Sequence, residues 1–458
     1  MTDIETIASR SAAGIALAYR SGEASPVEVI ECLLERIDKS TAANIFITVT
    51  PERARREVEA SARRYREGNP LSALDGVPLA WKDLFHVAGT RTTAGSALLA
   101  DSPVRDRDMP CVANAAAAGM VTMGKLNLTE FAYSGLGLNP HFGTPVNPND
   151  RTTHRAPGGS SSGSGTAVAA GLVPIAIGTD TGGSVRIPAA FNGIVGYKTS
   201  TGRIAKHDLI PLARSYDTIG PLARTVEDCI VADMLLRGEV ASPVRRADIR
   251  SLTVVVPTNV VTDGAEPAVL ENYERALDSL GKAGATIRRE HVDGLDQVLE
   301  ITARYGTLIA AEAYTQYREM ADSEQAEQVD RRVIFRMMGG KRMSAADLLS
   351  IQQAREQLIP RITARLSGAL LAMPTTLHTA PEVAPLEADD ELFHAVNLKT
   401  LRNTALGNVL DLCAVALPSG RDEKGLPTSI LMSAAHDEDT RLLGHAIAIE
   451  RELREAQA

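Results

Sequence analysis

Apolar residues recur at helical spacing over residues 11–20 and 26–40, and Ser25-Pro26 supplies an N-cap followed by a first-turn proline, so the chain is predicted to open with helices. Residues 53–67 are charged and alanine-rich, with only Val58 and Tyr65 as larger anchors, the pattern of a solvated surface helix. A helix is predicted over 111–119, a short buried strand over 120–124 and the entry to another helix over 127–131. The small residues of 163–171 suit a closely packed helix, the apolar run 172–178 a buried strand, 185–191 a short helix and 194–198 a strand. Further on, strands at 251–257 and 286–292 flank an amphipathic helix at 266–284. Residues 297–355 are mainly helical and charged, 369–373 form a buried strand ended by Pro374, and 438–456 form a terminal helix. This alternation is that of an α/β protein. No linker, repeat or low-complexity segment splits residues 1–458, which read as a single domain with residues 235–370 as a cap on its core.

Composition excludes several classes. A chain of 458 residues can bury a substantial core, and a net charge of −9 argues against a nucleic-acid partner bound through a basic footprint. Cys32, Cys111, Cys229 and Cys413 are dispersed, without a Cys-x-x-Cys pair or a histidine cluster, so neither a disulfide framework nor a zinc site is indicated. Met1-Thr2-Asp3-Ile4-Glu5 is not the start of a secretory signal, and the longest nearly apolar stretch, 166–178, contains Gly171 and Pro174 and is too short to span a bilayer. A soluble cytoplasmic enzyme with reduced thiols, no metal and no membrane partner is expected.

Three separated segments carry candidate chemistry: Lys82 in Gly-Val-Pro-Leu-Ala-Trp-Lys-Asp, the run from Gly158 to Gly165 containing Ser160, Ser161 and Ser162, and Asp180-Thr181-Gly182-Gly183-Ser184-Val185-Arg186. A serine hydroxyl is a poor nucleophile unless a base and oxyanion donors stand beside it. Ser184 follows two glycines that let successive N–H groups of Thr181, Gly182, Gly183 and Ser184 point at one spot, at the start of a predicted helix whose N-terminus favours negative charge. Lys82, behind the apolar segment from Val77 to Trp81, is a base candidate because burial favours its neutral form. Ser160 would relay the proton.

Together these segments resemble the amidase signature family, which hydrolyses or transfers acyl groups from amides with a Ser-Ser-Lys triad. The resemblance implies a large mixed central β-sheet flanked by helices on both faces, with the signature core at about residues 60–230. It implies Ser184 as nucleophile, Ser160 as relay serine held by a cis peptide to Gly159, and Lys82 as base. The 24 positions from Ser160 to Ser184 agree with the family's spacing. Further matching pieces are Gly124-Lys125-Leu126-Asn127 with Glu130-Phe131-Ala132, Asn139-Pro140-His141, Ser215-Tyr216-Asp217 and Gly425-Leu426-Pro427. Asp180 and Arg186 would brace the loop around Ser184, His141 would belong to a packed turn near the pocket, and Tyr133 and Ser134 would line the pocket. Ser162 stands where the family usually has glycine, Lys198-Thr199 replaces the common lysine-proline pair, and Trp81 replaces a small aliphatic residue and is expected in the core.

Rival motifs fail on context. Gly159-Ser160-Ser161-Ser162-Gly163 satisfies the nucleophile-elbow pattern, but polar residues 151–157 precede it where an elbow needs an apolar strand. Ser279-Leu280-Gly281-Lys282 lies at a helix end without companion motifs, and the glycine-serine run lacks phosphate-loop or Rossmann spacing. The expected activity is hydrolysis of a linear carboxamide or ureido-type amide, without a cofactor; the oligomeric state is not written in the chain, and a homodimer is what the resemblance offers, many relatives being dimers. Low aromatic content suggests a small or polar substrate. The alternatives are the glutaminase component of a tRNA-dependent amidotransferase, its A subunit, disfavoured because Ser344-Ala345-Ala346-Asp347-Leu348-Leu349 stands where a tyrosine-rich segment is usual, and a non-catalytic scaffold with this fold.

Overall fold

One eleven-stranded mixed sheet organises the chain in the computed structural model, which describes residues 3–456. Met1 and Thr2, where the reading of the N-terminus begins, lie outside the described residues, as do Gln457 and Ala458. The strands are β1 (Phe46–Val49), β2 (Pro78–Lys82), β3 (Val121–Leu126), β4 (Ile175–Asp180), β5 (Val195–Lys198), β6 (Thr218–Ala223), β7 (Thr253–Pro257), β8 (Thr286–Glu290), β9 (Leu370–Pro374), β10 (Cys413–Arg421) and β11 (Pro427–Ala434). Their order is β1-β3-β2-β4-β6-β5-β10-β11-β9-β7-β8. Strands β2 and β4 pair in parallel, with Trp81 opposite Ile177, and every residue of both is buried, as expected for strands covered on two faces. The edge strand β8 instead carries Arg288, Arg289 and Glu290, charges that discourage pairing with another sheet.

The helices Ser162–Ala169 and Arg186–Asn192 pack on one face of the sheet and on each other, whereas Val226–Leu236, Pro267–Lys282 and Asp439–Glu455 cover the other. Pattern and capping explain the opening helices: Ser11 Oγ accepts from the Gly14 amide ahead of Ala12–Ser21, and Ser25 with Glu28 forms a capping box ahead of Pro26–Asp38.

Several expectations change. Residues 127–131 do not open an α-helix; Glu130–Ala132 is a single 3₁₀ turn with Phe131 and Ala132 at φ 49° and 61°, a left-handed backbone that cannot propagate a helix. The strand expected over 172–178 runs from Ile175 to Asp180, because Pro174 delays its start. The stretch 235–370 is not simply a cap: it supplies β7 and β8 to the sheet, and only its helices between Asp293 and Leu366 stand over the cavity described below. No described helix is long and apolar enough to cross a membrane.

Candidate active site

Parallel pairing brings the C-terminal ends of β2 and β4 to the same edge of the sheet, so Lys82 and the loop after Asp180 meet although nearly a hundred residues separate them. Lys82 is fully buried, with Nζ 2.7 Å from Ser160 Oγ and 2.8 Å from Thr179 Oγ1. Burial, opposed by the charges of Asp217 and Asp180, lowers its pKa to about 7, so a neutral amine is accessible near neutral pH. The Gly159–Ser160 peptide is cis. Ser160 sits just before the helix Ser162–Ala169, and Gly178 on β4 lets the serine turn approach the strand: a Cβ there would stand 2.7 Å from Ser161 Oγ.

The loop around Ser184 is built on one buried ion pair. Arg186 donates through Nε and Nη2 to the two Asp180 oxygens at 3.0 and 2.8 Å, and both side chains are fully buried. Burial opposes the Asp180 charge, yet Arg186, Lys198 and the Asn408 amide outweigh it and hold the carboxyl well below the usual carboxylate range. Asp180 also accepts from the amides of Gly183 at 3.0 Å and Val185 at 3.1 Å. The Gly183 amide, expected among the oxyanion donors, is therefore committed, and the amides of Thr181, Gly182 and Ser184 are left without such an acceptor among the described residues. Only the second glycine needs its lack of a side chain for conformation: Gly183 has φ +136°, and a Cβ there would lie 2.2 Å from Thr404 Oγ1.

The helix Asp390–Val409 fixes this loop from behind. Thr404 Oγ1 donates to Gly182 O at 2.7 Å, Arg186 donates to Thr404 O at 2.9 Å and to Asn408 Oδ1 at 2.6 Å, and Asn397 Oδ1 accepts from Ser134 Oγ at 3.1 Å and the Gly135 amide at 2.8 Å. Thr181 Oγ1 in turn donates to Asp217 at 2.5 Å. Sequence reading missed the parts played by Thr179, Thr404, Asn408 and Asn397, and had Asp217 only as part of a matching segment. Their one sequence signal is polarity inside otherwise buried elements.

Replacing Arg186 by methionine strands the Asp180 carboxylate in the interior. The expected loss is about 3–5 kcal/mol of stability, seen as a lower urea midpoint with unchanged slope. A midpoint equal to that of the unaltered protein would show that the pair does not brace the loop.

Ser184, with 5% of its surface exposed, reaches a cavity of about 400 Å³ together with Tyr133, Ser134, Thr181 and Gly182. Its Oγ makes no hydrogen bond among the described residues, and its carbonyl accepts from the Ser161 amide at 3.4 Å. The rest of the lining is largely aliphatic, with residues such as Val298, Ile301, Leu308, Leu358 and Leu401, which revises the expectation of a small or polar substrate. Trp81 does not line this space; it is fully buried, packs on Phe85 and donates to Thr122 Oγ1 at 3.2 Å. His141 also lies outside the lining, with Nε2 3.1 Å from the buried carboxylate of Glu130, a close contact that raises the histidine's pKa against the opposing effect of burial. Lys198 spends its ammonium on the carbonyls of Thr199 and Leu412. No cluster of His, Cys, Asp or Glu able to hold a metal occurs among the described residues.

Known proteins resemble the chain over most of its length. The chain is 33% identical over 442 residues to 2-amino-5-chloromuconic acid deaminase of Comamonas testosteroni, covering 94% of this chain and 93% of that one. It is 43% identical over 276 residues to the A subunit of glutamyl-tRNA(Gln) amidotransferase from Cupriavidus necator, a match spanning 60% of this chain and half of the other. A solved structure described as that of an amidase superposes with a TM-score of 0.85 at 29% identity, covering 98% of this chain and all of its own. The family model for Amidase matches residues 28–443, and the chain belongs to the amidase family.

Proposed function

We propose that the chain, acting as one amidase domain, hydrolyses a linear carboxamide or ureido-type amide through an acyl-enzyme on Ser184. The observation that carries this reading is the fully buried Lys82, with its lowered pKa, in direct contact with Ser160 Oγ. Neutral Lys82 takes a proton from Ser160, which takes one from Ser184 as its Oγ attacks the carbonyl carbon. The resulting oxyanion is received by the amides of Thr181, Gly182 and Ser184, groups already fixed by the Asp180–Arg186 brace and by Thr404, so little reorganisation is required. Collapse breaks the C–N bond, and the proton held on Lys82 passes through Ser160 to the departing nitrogen. Water then attacks the acyl-enzyme, the relay accepts its proton, and the acid leaves as Ser184 recovers its hydrogen. The relay requires Ser160 Oγ and Ser184 Oγ to come within hydrogen-bond reach, a contact of the kind that often tightens only around substrate.

Treatment with a fluorophosphonate followed by intact-mass measurement tests the nucleophile. One adduct on the unaltered protein, absent from Ser184→Ala, is expected, with ammonia released from simple amides by the unaltered protein alone. An adduct that survives in Ser184→Ala would refute the assignment. The match to the amidotransferase component supports a second reading, a glutaminase that passes ammonia to partner subunits. It predicts a chain idle in isolation and active on glutamine once partners are bound.

A further inference from the structure

Four cations and no carboxylate line the cavity at Ser184: Arg336, Arg355, Lys399 and Arg402. In a chain of net charge −9 this is a local reversal of sign. Two of the four are committed to the fold. Arg355 donates to Val409 O at 3.0 Å and lies over the Tyr216 ring, and Arg402 donates to the carbonyls of Val260 and Asp263 at 2.7 and 2.8 Å. Lys399 has no partner among the described residues, but no ring fixes its ammonium.

Arg336, on the helix Arg331–Lys341, is different. Its guanidinium carbon stands 4.5 Å from the centre of the Tyr133 ring, and Tyr133 adjoins Ser134 on the wall that also carries Thr181 and Ser184. Its Nε is buried with no acceptor, and no Asp or Glu among the described residues pairs with it. Stacking fixes the plane of a guanidinium whose donors match the two oxygens of a carboxylate. Arg336 as a residue is only partly buried, but its Nε is closed off from solvent without an acceptor; a buried donor left unpaired is unfavourable, and an arriving anion relieves that cost.

We infer that Arg336 receives a carboxylate carried by the substrate, so that the compound cleaved at Ser184 joins a carboxamide to a carboxylate through an apolar spacer lying along the aliphatic walls. The inference rests on the amidase reading of this cavity and adds a substrate class to it: linear amides that are also anions. Ile309 and Leu401, both close to Gly182, are placed to hold the spacer between the two polar ends.

The test compares adipamate with hexanamide, amides of equal chain length with and without a terminal carboxylate. The unaltered protein is expected to favour adipamate in kcat/KM by about 30-fold, roughly one charge-assisted contact. Arg336→Gln collapses that ratio towards one, and Arg336→Lys keeps part of it. A ratio near or below one in the unaltered protein, or one that Arg336→Gln leaves in place, overturns the inference. The same pair is measured by calorimetric binding to Ser184→Ala, with and without Arg336→Gln, where no turnover is needed. A binding preference for adipamate that depends on Arg336 supports the anion site, and equal binding of both amides overturns it. Preferential binding without ammonia release by the unaltered protein would sink the hydrolase reading alone.

Discussion

Replacing Ser184 by alanine is expected to lower kcat by about 10⁵-fold while leaving thermal unfolding within a degree or two of the unaltered protein, because nucleophile loss removes covalent catalysis as a unit. The two effects separate for a structural reason. Ser184 Oγ faces the cavity and makes no hydrogen bond among the described residues, so its removal breaks no internal contact and opens no interior void. The loop conformation does not depend on that hydroxyl; it depends on Asp180, Arg186 and Thr404. Activity of Ser184→Ala within tenfold of normal would place the nucleophile elsewhere, with Ser160 the next hydroxyl to examine.

The second large effect belongs to Lys82. Lys82→Met keeps the length and apolar stem but removes the base, and kcat is expected to fall by about 10²- to 10⁴-fold, the usual contribution of a positioned general base. The change leaves the Ser160 and Thr179 hydroxyls each without the partner they now have, at about 1 kcal/mol apiece, which the removal of a buried amine largely offsets. The fold should therefore survive. The pH profile separates this role from a merely structural one. Burial lowers the Lys82 pKa to about 7, so below that pH the amine is protonated and cannot accept a proton, and above it the base is available. Turnover by the unaltered protein should rise through pH 7 to a plateau, and Lys82→Met should lack that limb. A profile that is flat from pH 5.5 to 9 in the unaltered protein would exclude the lysine as base.

Much of the fold was legible because local patterns and tertiary demands agreed. The capped helix at Pro26, the alanine-rich helix after Ser162 and the apolar runs of β4, β7 and β9 each carry their own periodicity or length signal. The elements left unread are those whose identity depends on partners. Strand β2 holds only five residues and ends in a lysine, and β6 contains Gly220 and Pro221; both are strands because β4 lies between them and satisfies their backbones. The helix Asp390–Val409 mixes polar and apolar residues around its circumference because it supports the loop of Ser184 with Thr404 and Asn408, and the Ser134–Gly135 segment with Asn397, while also lining the cavity.

What the sequence determined by itself was the chemistry present: a lysine after an apolar run, a serine-rich turn, and a serine behind two glycines, at spacings that match one family. Side-chain type and local backbone freedom are written in neighbouring residues, so these could be read directly. What only the tertiary structure decided was which groups are free to act. Parallel pairing of β2 with β4 set Lys82 against Ser160 and Thr179, Asp180 claimed the Gly183 amide, and Arg336 reached the cavity on Tyr133 without a carboxylate. Burial and hydrogen-bond commitment arise from residues tens to hundreds of positions away, and that distance keeps them out of any local reading of the chain.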